Sequence, residues 1–163
     1  MTFTISFDPG THTGYALWQD KKLVNSGVLH IDWKQPASLH EYTQALGQLL
    51  IGVEQVWAEK EYEFWPKNKS KVFLARYHKS HGVLQGKLSD IGIPTKFVDT
   101  RKMAKKRRAQ SIVCMMLGEK PIEFKRKGKL ITKYPRSTHE CEAILLGMLV
   151  QNIQTLETAK EKR

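Results

Sequence analysis

Very little in this sequence belongs to a membrane, an oxidising compartment or a nucleotide-binding fold. Its 163 residues include two cysteines, Cys114 and Cys141. They have neither metal-ligand spacing nor the look of a disulfide framework. No apolar run approaches the roughly 20 residues that span a bilayer, and the start lacks the basic-then-apolar layout of a signal peptide. A soluble protein in a reducing compartment, with no membrane partner, is expected. No G-x-x-x-x-G-K-[ST] loop is present, and no nucleotide cofactor is expected. Neither a repeat nor a linker appears, so 1–163 reads as a single domain with a frayed tail at 158–163. At 40% hydrophobic and 26% charged residues the chain is globular, not disordered.

Acidic residues are scarce where it matters. Residues 60–136 hold 21 Lys/Arg against 6 Asp/Glu, while the flanks hold 6 against 10. A requirement for solubility gives no reason for such segregation. A localised basic excess is the electrostatic footprint of a nucleic-acid binder.

Residues 2–7 alternate strictly, with Phe3, Ile5 and Phe7 on one side and Ser6 and Asp8 on the other. This predicts a strand with one buried face. A turn over 9–14 and strands at 14–18 and 23–31 complete a meander. Ser38 and Glu41 form a capping-box pattern before a helix carrying Leu39, Tyr42, Leu46, Leu49 and Leu50 on one face. A strand is expected at 54–62, a helix at 71–91 ended by Gly92, and a strand at 95–99. Residues 100–118 read as a helix whose basic start opposes the macrodipole, so its first residues are expected to be partly loop. A basic hairpin follows within 119–136, turning near Gly128. A last helix begins after Ser137, with Glu140 as its capping partner. Strands in a meander, then strands alternating with helices, give an α/β fold with a mixed five-stranded sheet flanked by helices.

Asp8 precedes Pro9-Gly10. Taken alone it can be a turn residue, part of a phosphate loop, or a metal ligand. The phosphate-loop reading belongs to two-lobed kinase-like folds roughly twice this length. Glu59 lies on the fourth strand, and Glu142 opens the last helix with His139 on the same face. Such a topology can bring these groups together, and clustered carboxylates call for a hard divalent cation. On a basic protein that combination suggests metal-assisted phosphodiester hydrolysis.

Three segments in order, ISFDPGTHTGYAL, the Glu59 of VWAEKEY, and HECEA at the head of an apolar last helix, resemble the RuvC family of Holliday junction resolvases. The resemblance spans nearly the whole chain and implies an RNase H-like fold. It also implies a Mg²⁺-dependent endonuclease, with two ions per site and Mn²⁺ able to substitute. Implied catalytic and metal-site residues are Asp8, Glu59, His139 and Glu142, with Glu140 as the substitute carboxylate. The implied partner is branched DNA, chiefly four-way junctions, cut by a homodimer in the cytoplasm at the nucleoid. Other implied substrates are flapped DNA and RNA–DNA hybrids; a junction binder without activity is the remaining alternative. Glu142 stands where the family has Asp, and 119–136 reads as an insertion, marking a divergent, phage-type member.

Phosphate contacts are expected from Lys67, Lys69 and Lys71, from Arg101, Lys102, Lys105, Lys106, Arg107 and Arg108, and from Lys125, Arg126, Lys127 and Lys129. Phe64 and Trp65 are available to stack on an unpaired base or to pack internally.

Overall fold

The computed structural model describes residues 2–62 and 70–151. The strands are β1 (Phe3–Asp8), β2 (His12–Gln19), β3 (Lys22–His30), β4 (Val53–Glu59) and β5 (Thr95–Val98). They form one sheet of order β3-β2-β1-β4-β5. The meander β1-β2-β3 is antiparallel, whereas β4 runs parallel to both β1 and β5. Asp20 and Lys21 join β2 to β3 with φ of 47° and 68°. This is the two-residue turn whose twist matches the strands it connects.

The helices are α1 (Pro36–Leu49), α2 (Lys71–Ile91), α3 (Lys106–Met116) and α4 (Thr138–Val150). They cover both faces of the sheet. On one face Ile5, Phe7, Val56 and Ala58 meet Tyr42 and Leu46 of α1 and Leu84 and Leu88 of α2. On the other, Ala16 and Trp18 meet Ile112 and Val113 of α3 and Ile144 and Met148 of α4. Two covered faces explain why both sides of β1 are buried, Ser6 and Asp8 included. The polar positions of the alternation are therefore not a solvent face.

Helix α4 lies directly on the strands. A Cβ at Gly147 would come within 2.2 Å of the Trp18 indole nitrogen, and one at Gly14 within 1.9 Å of the His139 carbonyl oxygen. Only glycine permits these approaches. The Ser6 hydroxyl donates to the Ala143 carbonyl (2.7 Å) and accepts from the Trp18 Nε1–H (3.2 Å). It thereby satisfies polar atoms at the seam.

The structure corrects several local expectations. The first turn is shorter than 9–14, because Thr13 closes it on Gly10 (2.9 Å) and β2 starts at His12. Helix α1 starts at Pro36 with Gln35 as its cap, and Ser38 instead accepts from the Asp32 amide (2.8 Å). Proline's fixed φ begins the helix two residues before the capping-box serine. Along α2, Val72 and Ile91 are 59% and 41% exposed, while Tyr77, His81, Leu84 and Leu88 are buried. As expected for the basic start of 100–118, residues 100–105 are not helical and α3 starts at Lys106. Ser137 caps α4 as expected, accepting from the Glu140 amide (3.1 Å), but the Glu140 side chain turns to Arg136 and Ser26 and not back to the cap. Strands β6 (Ile122–Arg126) and β7 (Lys129–Lys133) form the basic hairpin as a separate two-stranded sheet.

Candidate active site

Asp8 ends β1 and Glu59 ends the parallel neighbour β4. Both follow residues that face α1 and α2, so strand alternation turns them toward α3 and α4. Helix α4 begins on Gly14, the residue paired with Asp8 across β1 and β2. This places His139 Nδ1 2.9 Å from Asp8 Oδ2. One helical turn further, Glu142 faces the same way. Asp8, Glu59 and Glu142 are only 6%, 7% and 8% exposed.

Lys105 lies among these carboxylates. Its Nζ is 2.7 Å from Glu59 Oε1, 3.1 Å from Glu142 Oε2 and 3.1 Å from Thr100 Oγ1. Glu142 Oε1 also accepts from the Lys106 amide at the start of α3 (2.7 Å). An anionic group there suits the positive end of the helix dipole. Thr100 donates to Glu59, and Thr100 is held in turn by the Tyr62 hydroxyl, which accepts from its amide (2.9 Å).

The charges are unevenly matched. Burial pushes the Asp8 carboxyl up to about 7, opposed by the His139 hydrogen bond and reinforced by Glu59 and Glu142. Burial acts on Glu59 in the same direction, but Lys105 and Thr100 outweigh it and hold its carboxyl below the ordinary value. Burial would lower the Lys105 ammonium, yet Glu59, Asp8 and Glu142 raise it on balance. The hydrogen bond to Asp8 raises His139. His12, whose ring stacks on His139 with centroids 5.8 Å apart, is lowered by burial and by its neighbours His30 and His139.

Among the described residues no three acidic, His or Cys side chains stand in metal-binding geometry. The donor chemistry nevertheless fits a hard divalent cation. Lys105 pairs with Glu59 and Glu142, and His139 pairs with Asp8, whose carboxyl is pushed up by burial and, to a lesser degree, by the two glutamates. Lys105 occupies the electrostatic role of a cation.

The cluster opens into a cleft of about 890 Å³, with Phe73 and Arg76 of α2 on one wall and Arg101, Lys106 and Arg107 on another. Of the expected phosphate contacts, Lys71, Lys102 and Arg108 are exposed, and Lys125, Arg126, Lys127 and Lys129 are exposed on the hairpin. Arg101 is paired with Asp99. Lys67, Lys69, Phe64 and Trp65 lie outside the described residues. Glu140 is not part of the cluster, because it accepts from Arg136 (2.5 Å) and from Ser26 (2.8 Å). Sequence reading placed Lys105 among phosphate contacts and missed Thr100, Tyr62 and Gly14. Spacing does not separate Lys105 from Lys102 or Lys106; only the backbone path into α3 does.

No protein-family model matches the sequence, and no curated protein matches it. Solved structures do. RuvC of Thermus thermophilus, in complex with a Holliday junction substrate, matches with a TM-score of 0.65 at 16% identity, over 95% of this chain and 99% of that one. A second T. thermophilus RuvC structure gives 0.61 at 16% identity, over 94% and 99%. The yeast mitochondrial Holliday junction resolvase Ydc2 gives 0.48 at 16% identity, over 88% and 75%. The two RuvC matches show that the chain has the RNase H-like fold of RuvC, with the expected mixed five-stranded sheet.

Proposed function

We propose that this chain is a structure-selective DNA endonuclease that resolves four-way junctions by metal-dependent phosphodiester hydrolysis. The observation that carries the proposal is the burial of Asp8, Glu59 and Glu142 around one cation, at the base of a cleft walled by Arg76, Arg101 and Arg107. A polyanion and a carboxylate cluster do not attract one another, so a cation must stand between them. The RuvC fold and its complex with a junction agree with this reading.

Asp8, Glu59 and Glu142 would hold the divalent ions, with His139 beside them; Mg²⁺ is the natural ion, and Mn²⁺ a substitute. When bound, such ions activate water and stabilise the leaving oxygen. Around them the protein's own groups have distinct tasks. Thr100 and Tyr62 fix the Glu59 carboxylate. His139, bonded to Asp8 and 42% exposed at its side chain, can carry a proton between that carboxyl and the cleft. Lys105, one third exposed, can move its charge toward the phosphate once Glu59 and Glu142 are otherwise neutralised. Arg101, Lys106 and Arg107 hold the flanking phosphates. A two-fold dimer would place two such sites on symmetry-related strands and give paired nicks. The exposed face of α2 is the proposed dimer surface.

A second reading has its own support. An ammonium already bonded to two of the carboxylates is also what a junction binder without metal would use. One assay separates the readings: protein with Mg²⁺ on labelled four-way junction, flap, RNA–DNA hybrid and linear duplex. Paired symmetric nicks in the junction are expected. Cutting of hybrid or flap instead would reassign the substrate, and tight junction binding without cutting would select the binder.

A further inference from the structure

Hairpin β6–β7 is anomalous as a piece of folded protein. Every residue of β6 is exposed, and Ile122 and Leu130 are 65% and 63% exposed. An isolated two-stranded hairpin is at best marginally stable in water. This one is held at its root. Arg136, just beyond β7, bonds Glu119, just before β6, through Nε (2.9 Å) and Nη2 (2.7 Å). The same guanidinium reaches Glu140 of α4 and Ser26 of β3, both at 2.5 Å. Gln110 of α3 donates to the Arg136 carbonyl (2.6 Å), and Cys114 to the Glu119 carbonyl (2.9 Å). Near the root, Arg107 of the cleft wall donates to the Thr132 carbonyl (3.2 Å). Both chain ends of the ribbon are thus fixed to α3, which begins just after Lys105, and to α4, which bears His139.

Residues 122–133 hold five Lys/Arg and one Asp/Glu. Lys125, Arg126, Lys127, Lys129 and Lys133 have no ion-pair partner among the described residues, whereas Arg101, Lys105 and Arg136 all do. Lys127 and Gly128, with φ of 50° and 75°, make a tight turn that keeps the tip narrow. A clamped ribbon without a core, carrying unpaired cations, is organised for an external polyanion.

We propose that β6–β7 is a fixed arm that binds the phosphate backbone of duplex DNA beyond the cleft. The inference deepens the nuclease reading by naming the flanking duplex arm as a second contact. Five residues per strand reach about 17 Å, roughly half a turn of duplex. Contacts to phosphate carry no sequence information, so the arm adds affinity without base preference.

The test is binding to four-way junctions in EDTA, with arms of about 20 or about 5 base pairs, across a salt series. The variant combines Lys125→Ala, Arg126→Ala and Lys129→Ala. On long arms its affinity should fall about 10- to 100-fold and its log–log salt slope should shrink by about 2–3. On short arms it should bind like the parent protein. A milder variant, Lys125→Gln with Lys129→Gln, keeps both stems and should lose about two units of slope. Unchanged affinity and slope on long arms would overturn the proposal. So would an equal loss on short arms, which would assign these cations to the cleft. Because no metal is present, the result is independent of cleavage. Failure of the parent to cut removes the nuclease reading alone, and normal cutting with unaltered binding removes the arm alone.

Discussion

Replacing Asp8 by Asn should lower Mg²⁺-dependent junction cleavage on the order of 10³-fold or more and should make the metal-free protein more stable at pH 8. The two effects have one cause. Asp8 is buried against Glu59 and Glu142, and its carboxyl is pushed up to about 7. A carboxyl whose folded value lies above its unfolded value stabilises the fold fully at low pH. That contribution fades as pH rises from about 4 through about 7. At pH 8 the folded metal-free protein bears the whole cost of an ionised, buried Asp8. Asn has the same shape, keeps an acceptor for His139 and carries no charge. A gain of about 2 kcal/mol is expected after allowing for a weaker bond to His139, or roughly 5 °C in melting temperature for a chain of this size. At pH 5 the two melting curves should converge. Junction affinity in EDTA should stay within about threefold, because the phosphate-facing cations are untouched. A site that stabilises the protein when disabled is one in which stability has been given up for function. Equal cleavage by mutant and parent would remove Asp8 from the chemistry, and an unchanged melting temperature at pH 8 would remove the electrostatic account.

Gly14→Ala should be the most damaging single methyl group in the sheet. Its Cβ would lie 1.9 Å from the His139 carbonyl oxygen, 2.3 Å from the carbonyl carbon and 2.9 Å from the Glu140 nitrogen. These are backbone atoms of the first turn of α4 and cannot rotate aside. Either α4 or β2 must move, at about 3 kcal/mol, the upper end for overpacking. The displacement falls on the turn that carries His139 and Glu142. A shift of about 1 Å in such groups costs on the order of 10²-fold in rate. The variant should therefore melt about 8 °C lower and cut about 10²-fold more slowly, although Gly14 touches no substrate. Gly82→Ala on α2 is the control. A Cβ there meets nothing within 4 Å, so the higher helix propensity of alanine should leave stability unchanged or raised by up to about 1 kcal/mol. Equal melting temperatures for the two alanine variants would show that α4 is not seated on Gly14.

What could be read from the sequence follows from what each pattern encodes. Period-2 alternation through Phe3, Ile5 and Phe7 located β1 and the side from which Asp8 emerges, because strand geometry leaves no other choice. Ser137, with a hydroxyl that accepts a helix amide, marked the start of α4 correctly. The same logic failed at Ser38, where Pro36 had already fixed the helix start and the serine hydroxyl turned to the Asp32 amide. His139 and Glu142 share a face by their spacing, whereas Glu140, two residues from Glu142, is turned toward Arg136. Arg136 is only four residues away, but it stands before the Ser137 cap, where helical spacing does not place its side chain. Lys105 was hidden among equivalent neighbours in a basic run. Its position depends on where the chain passes from β5 into α3, a tertiary fact with no period to reveal it. Gly14 reads as an ordinary strand glycine until α4 is laid over it.

The central claim is that the buried carboxylates are a cation site, neutralised in the metal-free protein in part by Lys105 and, as pH falls below about 7, by protonation of Asp8. The most direct measurement is the melting temperature with and without about 10 mM Mg²⁺ or Mn²⁺, at pH 8 and pH 5, against NaCl of equal ionic strength. For a site of millimolar affinity the metal should raise the midpoint by about 3–6 °C at pH 8. The shift should nearly vanish at pH 5, where the proton on Asp8 competes, and in Asp8→Asn at either pH. An equal shift in Asp8→Asn, or no shift with either metal at pH 8, would contradict the account.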